Sequence, residues 1–243
     1  MLEGLFSAAA GMSAQQLQLD AVSNDIANVS TTGYKSERVG FEDLLYNRVD
    51  KAGTETTAGA GAAARIIGRS QTQGTLKETG NPLDLAVEGE GFFQLRRPDG
   101  TTVLTRNGAF TVSADGAIGD ASGDLLDPPL KLPAGVNASD LRISSDGTVS
   151  AQGKRLGRIA LVNVTAPDHL TPEGASLLAP NAASGAPRLL AGGRMQQGAL
   201  EESNVDLGRD MTTMMTTERA YQMSSTAIQT ESQMMSIANQ LRS

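Results

Sequence analysis

Apolar residues recur every seven positions near both ends of this chain, and that spacing limits the folds open to it. From Leu2 to Val29 there is no proline, and glycine occurs only at Gly4 and Gly11. Leu5, Met12, Leu19 and Ile26 form one column, with Ala8, Gln15, Val22 and Val29 beside it. Two adjacent columns of this period describe an apolar stripe on a helix. Glycine is a helix breaker, so the helix is expected to stop near Thr31-Thr32-Gly33. The stretch Asp206 to Leu241 repeats the pattern with Leu207, Met214, Tyr221, Ile228 and Met235, flanked by Ala220, Ala227, Met234 and Leu241. Ser203, Asn204 or Asp206 can cap its start. At about 1.5 Å per residue these helices would span roughly 42 and 54 Å. A compact chain of this length has a diameter of roughly 46 Å. The longer helix does not fit comfortably inside such a globule, so the two ends are expected to pair as a projecting, coiled-coil-like stalk.

The middle of the chain has another texture. Gly53 to Ala64 contains few large apolar residues and reads as a flexible or extended linker. From about Leu76 to Ala199, short β-prone runs alternate with turn dipeptides such as Asp99-Gly100, Asp115-Gly116 and Asp146-Gly147. Arg158 to Val164 is the best single strand, and Pro180 to Gly193 reads as an exposed loop. The expected fold is α+β. An N-terminal helix (1–33) leads into an extended linker (34–75), an antiparallel β domain (76–198) and a C-terminal helix (199–243).

Composition excludes several functions. The 243 residues contain no cysteine and one histidine, with a formal charge of -7. There is therefore no disulfide framework, thiolate metal site or cysteine nucleophile, and the charge disfavours nucleic acid as a partner. The N-terminus has Glu3 where a signal peptide carries basic residues, and no apolar run approaches a membrane span. His169 beside Asp168 lacks any nucleophile elbow and reads as a loop residue between two prolines. Glu88 and Glu90 could form a glycosidase-like pair, but their flanking glycines point to a turn. Asp115, Asp120 and Asp124 lack the spacing of a calcium loop. No catalytic, metal or cofactor residue is assigned. Six of the nine methionines, Met211, Met214, Met215, Met223, Met234 and Met235, lie in the last helix, as suits adaptable helix–helix packing. Asn24 and Asn28 sit four apart beside the apolar stripe, either as exposed polar residues or as amides fixing the register of a helix interface.

Four ordered strings carry a family resemblance. They are Leu17 to Lys35 (LQLDAVSNDIANVSTTGYK) with Phe41 to Tyr46 behind it, Gly74 to Phe93, Thr105 to Phe110, and Gly198 to Leu207 followed by Glu218-Arg219-Ala220-Tyr221-Gln222. Together they resemble the bacterial flagellar basal-body rod and hook protein family, and within it the distal rod members most. The chain departs from the usual pattern at Asp25, Glu218 and Ser224, where the family commonly has Asn, Gln and Asn. The segment from about Asp120 to Gly193 matches only loosely.

The resemblance implies a structural subunit, not an enzyme, that polymerises into a hollow tubular drive shaft carrying torque from motor to hook. It implies other copies of the chain as partners in a helical polymer, adjacent rod and hook proteins, surrounding ring proteins, and the flagellar type III export apparatus. It places the protein in the basal body, exported without a cleaved signal peptide. The interface is expected to use Leu5, Met12, Leu19, Asn24, Ile26, Asn28, Leu207, Met214, Tyr221, Ile228 and Met235. Alternatives are a proximal rod or hook subunit, or a secreted adhesin-type module, although an adhesin stalk is normally one continuous heptad segment.

Overall fold

The computed structural model describes residues 2–44, 47–51, 54–58, 61–133 and 135–240. The fold is α+β. One helix, α1 (Leu2–Ala27), opens the chain and a second, α2 (Leu207–Gln240), closes it. The residues between them are β-rich. The chain divides into two compact units. A helical unit comprises 1–27, 37–67 and 206–243, and a β unit comprises 28–36 and 68–205.

In the helical unit α1 packs along α2. The helices contain 26 and 34 residues, which at about 1.5 Å each makes them roughly 39 and 51 Å long. The most buried positions are small. On α1 they are Ala14, Ala21 and Val22 with the carboxylate of Asp25, and on α2 the residue is Thr217. A Cβ added at Gly4 would lie 3.3 Å from the Glu231 carboxylate at the end of its flexible side chain. Val22 belongs to the second heptad column, and most other members of the columns are half-buried.

Helix α1 ends at Ala27, short of the stop expected at Thr31–Gly33. The Asn28 carbonyl instead accepts the Thr31 N–H at 3.0 Å, closing a turn. Asn28 adds a side-chain acceptor for the Thr31 hydroxyl at 3.1 Å, the local competition that makes Asn a poor helix interior residue. In the helical unit the buried Asp25 carboxylate accepts the Glu37 N–H from both oxygens, at 3.0 and 3.2 Å. The acidic residue satisfies this backbone donor with both of its oxygens.

The segment expected as a linker contains paired strands. Glu37–Asp43 pairs with Ala62–Arg69, and Asn47–Lys51 pairs antiparallel with Thr54–Ala58. Gly53, Gly59 and Ala60 of the expected linker lie outside the described residues, as do Tyr46 and Leu241. Two-stranded ribbons of this kind have little stability alone.

The β unit is antiparallel wherever its registers are described. Its large sheet runs in the order Thr171–Gly174, Leu177–Ala179, Thr102–Thr105, Phe92–Arg96, Leu125–Leu126, Ile118–Gly119, Thr111–Val112. Strand Phe92–Arg96 is its hinge, because alternate residues serve opposite faces. Phe93 and Leu95 join the main core with Val103, Phe110 and Val149, whereas Phe92 joins a second cluster with Leu104, Val162 and Leu178. Phe93 meets Phe110 edge-on, ring centroids 5.1 Å apart.

The run Arg158 to Val164, expected as one strand, divides in two. Lys154–Arg158 pairs with Thr148–Ala151 in a three-stranded sheet, while Leu161–Asn163 pairs with Phe92–Arg96 in the large one. The intervening Ile159 N–H bonds to the Gly147 carbonyl at 2.8 Å, where the chain changes sheets. A Cβ at Gly147 would stand 2.2 Å from the Ile159 carbonyl oxygen, so the Asp146-Gly147 turn requires glycine. The expected loop Pro180 to Gly193 holds a fully buried Ser184 bonded to Asn181 and a short strand, Arg188–Leu189, so it is more ordered than its composition implies.

Candidate assembly interface

The chemistry-bearing side chains of the β unit are engaged in structure. His169 ends the short 3₁₀ turn Pro167–His169. Glu88 closes strand Leu85–Glu88 and pairs with Arg194 at 3.4 Å, while Glu90 follows in the bend and accepts from Asn163 at 3.3 Å. The two carboxylates therefore do not share a strand face. Asp120 accepts the Ser122 and Asp124 N–H groups, each at 2.9 Å, and so shapes its own loop. Among the described residues no cluster of three or more His, Asp or Glu could hold a metal ion, and no helix is long and apolar enough to cross a membrane.

The surface of the helical unit is different in kind. Among the described residues the exposed large apolar side chains are Phe6, Phe41, Leu44, Ile66, Leu207, Met211, Met215, Met223, Met234 and Ile237, all in this unit, and Leu189 in the other. Phe6 is 72 % exposed and Met223 68 %, values that leave most of each side chain in water. Large apolar groups held open together mark an interaction surface.

Helix α2 shows how this surface is built. Asp206 caps it: its carboxylate accepts the Gly208 and Arg209 N–H groups, both at 3.1 Å. Burial, reinforced by the neighbouring Asp206 charge, raises the pKa of Asp210 in the first turn. At about 100° per residue, Met215, Met223, Met234 and Ile237 fall within one arc of roughly 100°. Thr212, Thr216, Thr226 and Thr230 fall in the same arc, and Arg219 is the one charge there among the described residues. All four hydroxyls turn back onto the carbonyl four residues earlier, at 2.9 to 3.0 Å. With the hydroxyls satisfied inside the helix, the arc presents mainly methyl and thioether groups, with the Arg219 guanidinium and the Gln233 amide as the polar groups a covering surface would have to pair.

The residues expected at an interface occupy several settings. Leu5, Met12, Leu19, Ile26, Met214, Tyr221, Ile228 and Met235 are half-buried, and Leu207 is exposed. Asn24 lies exposed on α1, whereas Asn28 sits half-buried in the turn beyond it. The expected helical pairing of the two amides on one face is therefore corrected: Asn28 is not helical. Sequence spacing missed Phe6, Phe41, Ile66, Met215, Met223 and Ile237 as open surface. The methionine richness of the last helix was the signal for part of it.

Comparison with known proteins gives this surface its context. Residues 5–35 match the flagella basal body rod protein model, 86–151 the flagellar hook protein FlgE/F/G D1 domain, and 196–241 the flagellar basal body rod FlgEFG protein C-terminal model. The flagellar basal-body rod protein FlgG of Caulobacter vibrioides is 37% identical, with 100% of each chain covered. FlgG of Borreliella burgdorferi is 35% identical over 100% of this chain and 99% of its own. FlgG of Bacillus subtilis is 32% identical over 97% of both. The matches run along the whole chain, include both helices, and are to structural proteins. The chain belongs to the flagellar basal-body rod protein family, is most like its FlgG members, and is a structural subunit of the basal body.

Proposed function

We propose that the chain is a distal-rod subunit that polymerises through its helical unit into a hollow tube carrying torque from the motor to the hook. The observation that carries this reading is the concentration of exposed apolar side chains on α1, α2 and the strand pair Glu37–Asp43/Ala62–Arg69. In the polymer, the columns Leu5-Met12-Leu19-Ile26 and Leu207-Met214-Tyr221-Ile228-Met235 pair as coiled-coil-like seams between neighbouring copies. Asn24 and Asn28 lie at the end of the first seam. A heterologous contact that does not close on itself builds a filament, so one repeated surface is sufficient. Adjacent rod and hook subunits, the surrounding rings and the export apparatus complete its set of partners.

The functional division of the chain places the assembly helices α1 and α2 within the end segments 1–33 and 199–243, the rod segment that adds subunit contacts within 34–75, and an outer β domain over 76–198, with 28–36, 68–75 and 199–205 joining the β unit. The segment around Gly53 to Ala64 stiffens the tube by becoming protected between neighbouring copies on assembly. Equal protease cleavage there in monomer and polymer would remove that idea.

The decisive experiment deletes residues 206–243. The β unit is expected to keep its fold by circular dichroism while polymerisation, followed by sedimentation and electron microscopy, is lost. A truncated chain that still built rods would overturn the reading.

A further inference from the structure

The β unit buries a charged cluster that the assembly surface does not explain. Glu201 is completely buried, and Lys35 and Arg106 are each 3 % exposed. One Glu201 oxygen lies 2.5 Å from Lys35 Nζ and accepts the Gly74 N–H at 2.9 Å; the other lies 3.2 Å from Arg106. Lys35 also donates to the Thr72 carbonyl at 2.7 Å, and the Arg106 guanidinium sits 5.2 Å above the Phe92 ring. Two cations on one carboxylate leave an excess positive charge in the interior. Burial accordingly lowers the Lys35 pKa despite the opposing pull of Glu201. Buried ion pairs of this kind contribute little net stability over apolar packing, so their yield is geometric.

The geometry is a convergence of three separate stretches of chain. Asn204 accepts the Ser36 N–H at 2.8 Å and donates to the Ser70 and Thr72 carbonyls at 3.1 and 3.0 Å. Main-chain bonds run from Gly33 N–H to the Glu201 carbonyl, from Ser70 N–H to the Ser36 carbonyl, and from Glu202 N–H to the Thr75 carbonyl, at 2.8 to 2.9 Å. A Cβ on Gly74 would fall 2.0 Å from the Glu202 carbonyl oxygen, so the stretches are in backbone contact. Residues 33–36, 70–74 and 201–204 are also the last parts of the β unit before the chain leaves it after Ser36, before Gly68 and after Val205.

We propose that Glu201, Lys35, Arg106 and Asn204 form a register lock, which fixes the spacing of the places where the chain enters and leaves the β unit before any polymer forms. Assembly of this chain, on the reading given above, then starts from pre-set anchor points for the assembly helices. Glu201 and Asn204 act as positioning residues: neither needs to touch a neighbouring subunit.

The chain contains no cysteine, so paired spin labels can be placed cleanly. Ser30→Cys and Glu202→Cys put them on exposed residues of the β unit. Pulsed dipolar measurement on the full-length free protein is expected to give one narrow distance. Asn204→Ala removes the amide bridging all three stretches and is expected to broaden the distance roughly twofold while the β circular dichroism persists. The same variant is expected to lose polymer at concentrations where the parent assembles. Glu201→Gln, which removes the buried counter-charge of Lys35 and leaves Arg106 only the exposed Glu90, is expected to broaden the distance as well, and an unchanged width there overturns the ionic part. An unchanged distance width in Asn204→Ala, or a broad width in the parent, overturns the lock. Normal polymerisation of a broadened variant overturns its role in assembly. The distance is read on free protein, so it decides the lock even if the parent proves unable to form rods.

Discussion

The helical unit and the β unit dispose of similar apolar side chains in opposite ways. Phe92, Phe93, Leu95 and Leu104 in the β unit are at most 1 % exposed, while Phe6 and Met223 in the helical unit are mostly exposed. A helix stripe or a sheet face must be covered by a second layer. The β unit supplies that layer itself, by switching the chain between sheets at Ile159 and wrapping both faces of strand Phe92–Arg96. The helical unit has two helices and two-stranded ribbons, and the apolar side chains its helices bury most are the small ones Ala14, Ala21 and Val22. Small residues spend little apolar area on the intramolecular contact and leave the methionines and phenylalanines open. One region closes its own core, and the other keeps large apolar side chains in water.

That contrast can be broken by paired mutations. Phe93→Ala deletes a fully buried ring that packs on Phe110 and is expected to cost about 3–5 kcal/mol of β-unit stability by urea unfolding. A loss below about 1 kcal/mol would mean the β core is not closed as described. The reverse case is Met215→Lys with Met223→Lys on the open arc of α2. These are expected to change monomer stability by less than about 0.5 kcal/mol each, yet to abolish the polymer. Monomers destabilised as strongly as Phe93→Ala would show that the arc is already packed intramolecularly.

Asp206→Ala should have an intermediate effect. Removing the cap that receives the Gly208 and Arg209 N–H groups is expected to cost about 1 kcal/mol, concentrated in the first turn of α2. Faster amide exchange confined to that turn is the expected signature. The smallest effect belongs to the Asp-Gly turns of the β unit. The Thr148 hydroxyl and N–H hold the exposed Asp146 carboxyl below its ordinary value of 3.8, and Thr101 does the same for Asp99. A carboxylate whose folded pKa lies below its unfolded one contributes stability that is present above the unfolded value and lost as pH falls through the folded value. Thr148→Val is expected to move the Asp146 NMR titration midpoint upward toward 3.8 and to weaken the acid dependence below that pH. An unmoved midpoint would show that the hydroxyl does not hold the carboxylate.

Much of this was legible from residue order because it depends on local period and turn chemistry. Spacing of seven marked both helices, and Asp99-Gly100, Asp115-Gly116 and Asp146-Gly147 marked turns whose glycines all have positive φ. Helix ends and strand partners were less legible. Asp206 could be named among three caps, but Asn204 serves distant stretches of chain instead, a choice made by residues more than 130 positions away. Arg158 to Val164 read as one strand, since nothing local records that its halves belong to different sheets.

By itself the sequence determined that the ends are helical, that the middle is antiparallel β, that the chain is poor in reactive side chains, and to which family it belongs. These follow from short-range periodicity, turn-forming residues and ordered motifs. Only the tertiary structure decided which face of each helix is covered, that the apolar side chains the helices bury most are small, and that Lys35, Arg106 and Glu201 meet in the interior. Those outcomes rest on burial and on pairing between residues far apart in the chain, and a heptad or a charge count carries no record of either.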